Sequence, residues 1–88
     1  MDKNTMFENN MHDFIRNEVH VGLTFADTAL SRPEYRDEDT VKAREGYDTA
    51  LRFIAKARGR FPDRPISSSS LEELEKLKQM LEQLGERF

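Results

Sequence analysis

Apolar side chains recur along this chain at spacings of three and four in three stretches separated by proline-bearing or serine-rich connections, and that period is helical. The first stretch holds Met11, Phe14, Ile15, Val19, Gly22, Leu23, Phe25, Ala26, Ala29 and Leu30, most of them on one broad face. Thr5 and Glu8 stand three apart, the spacing of a capping box, in which each side chain satisfies an orphan N–H of the first turn. A helix over about residues 5–31 follows, and Pro33 stops it by forcing its neighbour out of helical backbone. Gly22 costs about 1 kcal/mol of helix propensity relative to alanine. It is either a tolerated small residue or a point where another helix comes close.

Acidic Asp37, Glu38 and Asp39 suit the positive end of a helix dipole, and either aspartate can cap a second helix over about residues 39–60. Its stripe is Val41, Ala43, Tyr47, Ala50, Leu51, Ile54, Ala57 and Phe61, rich in alanine and shaped for close packing. Gly46 interrupts it, as a weak point or as the end of a shorter helix that would move the start to Tyr47. Gly59, Pro62 and Pro65 close the element. Four serines, Ser67 to Ser70, then precede Leu74, Leu77, Leu81, Leu84 and Phe88, a seam of about two heptads. Ser69 with Glu72, or Ser70 with Glu73, makes a second capping box, so a third helix is expected over about residues 69–86, its last residues frayed.

The fold expected is all-α: an up-down three-helix bundle in which a long helical hairpin carries a shorter C-terminal helix. With 88 residues the chain has room for one domain, residues 1–88. Only 36% of it is apolar and 35% is charged, so the core must come from narrow stripes, and without cysteine no disulfide can reinforce it. No segment approaches the roughly 20 apolar residues of a membrane span, and the first residues lack the apolar run of a secretory signal. A cytoplasmic protein is expected.

Charge is unevenly placed. Residues 1–40 hold nine acids and four bases, residues 41–65 three acids and seven bases, and residues 66–88 five acids and three bases. A basic middle helix packed between acidic neighbours and paired across the seams accounts for this. Arg52, Lys56 and Arg60 nevertheless fall at successive i+4 positions, with Arg58 and Arg64 nearby, so a cationic ridge for a nucleic acid or another anionic ligand is the alternative function. Favourable interaction of these bases with the helix dipole explains them without any ligand, and nucleic acid is not the expected partner.

His12 and His20 stand eight apart with no His-x-x-x-His or Glu-x-x-His spacing, which argues for solvated histidines rather than a metal site. No cysteine nucleophile and no glycine-rich phosphate loop is present, the glycines being isolated at 22, 46, 59 and 85. Neither an enzyme nor a cofactor is expected.

The run Tyr47-x-x-Ala50-x-x-x-Ile54-x-x-Ala57 with Pro62 after it resembles the second helix of a tetratricopeptide repeat over 16 residues. Upstream the pattern departs, since Pro33 and an acidic run occupy the place of the first repeat helix. The layout is also similar to the three-helix domain of microtubule-interacting and trafficking proteins. Such families receive a partner helix or peptide in a groove between helices, and this is what the resemblance implies.

At about 1.5 Å per residue the first helix spans about 39 Å and the third about 27 Å, so the third cannot cover the first. The surplus apolar residues are expected among Phe7, Met11, Phe14 and Ile15 at one end, or Phe25 and Leu30 at the other. A patch of that kind marks an interface with another protein or a second copy of the chain.

Overall fold

The computed structural model describes the backbone from Lys3 to Phe88 and the side chains from Asn9 onward. The chain is all-α. Helix α1 spans Lys3–Ser31, a single 3₁₀ turn follows at Pro33–Tyr35, α2 spans Arg36–Arg60 and α3 spans Ser68–Gln83, with no strand among the described residues. Helices α1 and α2 form an antiparallel hairpin, and α3 runs back along it, packed more on α1 than on α2. The 29 residues of α1 set the long dimension, 47 Å.

Two glycines decide how close the hairpin closes. A Cβ on Gly46 would lie 3.0 Å from the Glu18 carbonyl oxygen and 3.2 Å from the Gly22 Cα, so the two backbones touch there. Gly46 therefore does not break α2, which is continuous through it; it is the crossing point. Gly22 serves the other side of the same contact, where the methyl of Leu77 on α3 sits 2.6 Å from the position a Cβ would take. Around this point Ala26, Ala43, Ala50 and Ala57 are fully buried, as small residues must be where helix axes approach. Ile15, Val19, Leu77 and Leu81 fill the space between the hairpin and α3.

Several boundaries differ from expectation for identifiable reasons. Helix α1 already includes Lys3, which puts Thr5 inside the first turn rather than at its cap; the side chains of Thr5 and Glu8 lie outside the described residues. Helix α2 starts three residues earlier than predicted, because Pro33 opens a 3₁₀ turn whose last residue, Tyr35, leads straight into it. No side chain caps α2, and Asp37, Glu38 and Asp39 lie in its first turn instead. The cap of α3 is Ser67, whose hydroxyl accepts from the Ser70 N–H at 3.1 Å. Buried Ile66 before it and half-buried Leu71 after it occupy the positions of a hydrophobic staple, which fixes the start there rather than at Ser69 or Ser70.

At its other end α3 stops at Gln83 and does not continue to residue 86. Gly85, at φ 93°, turns the chain back: its N–H bonds to the Glu82 carbonyl at 3.0 Å and that of Glu86 to the Leu81 carbonyl at 2.9 Å, a Schellman motif. The final residues are held rather than frayed. Arg44 donates to the Arg87 carbonyl at 3.0 Å, and the Phe88 ring meets Tyr47 edge-on at 5.0 Å. Phe88 thus leaves the leucine seam.

Candidate interaction surface

Met11 and Ile15, expected among the surplus apolar residues, are core residues at 8% and 1% exposure. The expectation compared helix lengths alone and left out the connection between α2 and α3. That connection runs along the first half of α1: Ile66 is buried in the core, and Arg64 donates to the side chain of Asn9. Phe7 lies outside the residues whose side chains are described.

Uncovered apolar side chains lie elsewhere: Val41 and Leu51, expected in the packing stripe of α2, are exposed, as are Tyr35 and Phe88, and one further group gathers on α1. At about 100° per residue, Phe14, Val21 and Phe25 fall within about 40° of one another on α1. Counted the same way, they lie about 100–140° from His20, whose Nε2 meets Glu73 on α3 at 2.6 Å, and about 60–100° from Gly22, which faces Leu77, so they stand clear of both α3 contacts. Phe14 is 39% exposed and Val21 47% exposed, while Phe25 is half-buried. From α2, Phe53 joins them: its ring centroid is 4.6 Å from that of Phe14. A shallow depression of about 340 Å³ lined by His20, Val21, Thr24 and Phe25 lies between this cluster and the His20–Glu73 contact with α3. Leu30, 39% exposed, falls on another side of α1, so it is not part of this cluster.

Cations edge the cluster. Lys42 lies over the Phe25 ring at 5.2 Å and Lys56 over the Phe53 ring at 4.8 Å. Arg52 and Lys56 are both exposed on the outer side of α2, with Arg60 one turn beyond. Arg58 is also exposed but belongs to the opposite side of α2, with Arg44 and Tyr47, so the structure splits the predicted cationic group. The expected pairing of the basic helix with its acidic neighbours is only partly realised. Arg44 meets Glu86, just past α3, at 3.4 Å, whereas Lys42 with Glu38 at 3.2 Å and Arg44 with Asp48 at 3.1 Å pair within α2 itself. Arg52, Lys56 and Arg58 are within ion-pair distance of no carboxylate among the described residues.

The fold assembles little else that could do chemistry. His20 is engaged with Glu73, and no three histidine, aspartate or glutamate side chains converge as metal ligands among the described residues. A polar depression of about 200 Å³ beside the start of α3 is lined by His12, Asp13, Arg16, Arg64, Ser67 and Ser70. That is below the roughly 300 Å³ at which pockets begin to enclose a small molecule. No described helix is long and apolar enough to cross a membrane.

Sequence reasoning found Phe14 and Phe25 but missed Val21 and Phe53. The signal for both was present, since Val21 follows Phe14 by seven residues and Phe53 stands outside the alanine stripe of its own helix. No protein-family model, curated protein or solved structure matches this chain.

Proposed function

We propose that this chain is a non-enzymatic interaction module that holds another protein against the face of the α1–α2 hairpin turned away from α3. The observation that carries this reading is the tilted ring pair Phe14–Phe53, with Phe14 and neighbouring Val21 each more than a third exposed although the core has taken in Met11, Ile15 and the leucine seam. Large apolar groups gathered on one side of a small domain are a common mark of an interface. A cytoplasmic setting belongs to the same proposal and is supported by the lack of cysteine. The partial resemblance to helical scaffold families points in the same direction.

A second reading, a binder of nucleic acid or another anionic ligand using Arg52, Lys56, Arg58 and Arg60, is supported by the absence of ion-paired carboxylates at the first three among the described residues. It is the weaker, because Arg58 stands apart from the others and the exposed aromatic rings have no part in it. The experiment is photo-crosslinking in cells that express the chain, with the probe at Val21 on this face and at Glu75 on exposed α3. Discrete adducts from position 21 that vanish when Phe14 is replaced by aspartate are expected. Equal labelling from both positions, or none from position 21, refutes the reading.

A further inference from the structure

We propose that the occupant of the α1–α2 face is an acidic amphipathic helix of another protein, its apolar stripe on Phe14, Phe53, Val21 and Phe25 and its carboxylates over Arg52 and Lys56. This rests on the interaction-module reading and adds the chemical class of the partner. From Phe14 to Phe25 the exposed face runs for about 16 Å along α1, the length of three turns of a partner helix. Beside the ring pair, the α2 edge carries Arg52 and Lys56, neither within ion-pair distance of a carboxylate among the described residues; Asp48, one turn before Arg52, is engaged by Arg44 at 3.1 Å, and Glu18 and Glu45 stand a turn or more toward the hairpin tip. The centre is thus apolar and its near rim cationic, in a chain whose net charge is −3. An acidic rim on the partner is the complement.

A second copy of this chain fits less well. Its own acidic helix, α3, already has Leu74, Leu77, Leu81 and Leu84 buried, so a folded copy has no spare acidic stripe to offer. Two copies meeting through this same face would bring like charges together around the rings. A nucleic acid would engage the cations and leave the aromatic and aliphatic centre without a role, and Arg58 is out of line with the ridge.

The test uses the full chain labelled for amide spectroscopy and three probes: a helical peptide of about five turns with a leucine stripe and glutamate flanks, the same peptide with lysine flanks, and a DNA duplex of similar length. The expected result is that the glutamate peptide shifts the amides around Phe14, Val21, Phe25 and Phe53 and binds about tenfold or more tightly than the lysine peptide. The double replacement R52E and K56E, at two exposed positions, should invert that preference in a protein whose thermal melt still shows a cooperative fold, lowered by a few degrees at most.

Equal binding of both peptides at these amides would overturn the acidic partner and leave the interaction module standing. Tighter binding of the duplex at physiological salt would overturn the inference in favour of an anion site. A dimer by light scattering with these amides protected would replace the partner by a second copy. If no probe and no self-association perturbs these amides, the inference and the reading beneath it fall together.

Discussion

Replacing Gly46 with alanine sets two effects of known size against each other. In a helix interior the change is worth about 1 kcal/mol in favour of alanine, through the smaller backbone entropy lost on folding. Against it stands the crossing with α1. The new methyl would sit 3.0 Å from the Glu18 oxygen, 3.2 Å from the Gly22 Cα and 3.4 Å from the Gly22 nitrogen, all of them backbone atoms in a continuous helix. No rotamer change can relieve these contacts; the helices must separate by some tenths of an ångström, loosening the fully buried Ala26, Ala43 and Ala50. Overpacking of this kind costs roughly 1–3 kcal/mol. The steric term wins, leaving a net loss of about 1 kcal/mol, or a fall of roughly 4–8 °C in Tm for a domain of this size. Gly59 is the control. It is exposed in the last turn of α2 with nothing within 4 Å of its added Cβ, so G59A should gain several tenths of a kcal/mol. Thermal and urea melts of the two variants read both terms. A G46A protein as stable as G59A would refute the close crossing on which the fold description depends.

Three further outcomes follow from the same contacts. Ser67→Ala removes the hydroxyl that accepts from Ser70 and should cost about 1 kcal/mol in a urea melt, while Ser69→Ala, at an exposed position within the helix, should change stability by no more than a few tenths. Gly85→Ala places a side chain at φ 93° and should lose roughly 1–2 kcal/mol, with faster amide exchange at Glu86, whose N–H closes the Schellman turn. Leu77→Ala, at a site with no exposure, should cost about 2–5 kcal/mol; combined with Gly22→Ala it should cost less than the sum of the two, because the added methyl enters space the leucine has left.

The three helices were legible because their apolar residues keep helical spacing over two turns or more, a signal that needs no knowledge of what packs against it. Gly46 was ambiguous for the opposite reason. Whether a helical glycine is a break or a contact depends on the partner backbone, and the partner, Gly22 and Glu18, lies more than twenty residues away in sequence. The start of α3 was misplaced by a similar dependence: several of the serines satisfy a local capping rule, and only burial of Ile66 selects Ser67. The exposed apolar face of the hairpin was half legible. Comparing helix lengths gave a surplus of apolar surface, but it treated the chain from Phe61 to Ser67 as a mere connection, when Ile66 fills part of the space assigned to the surplus.

The tight crossing and the exposed rings have one cause. Where Gly22 meets Gly46, the backbones stand too close for any side chain larger than alanine to enter between α1 and α2. Aromatic residues near that level must therefore lie to one side of the contact. The side toward α3 is taken by Leu77 and Leu81, which are fully buried there. Phe14 and Phe53 a few turns along the hairpin, and Phe25 one turn past Gly22, are left to the opposite side, which no fourth element of the described chain covers. Their exposure thus follows from how the hairpin closes rather than from a shortage of core. A helix laid on that side would complete a four-helix arrangement, and the cations along α2 determine which charge that helix should carry.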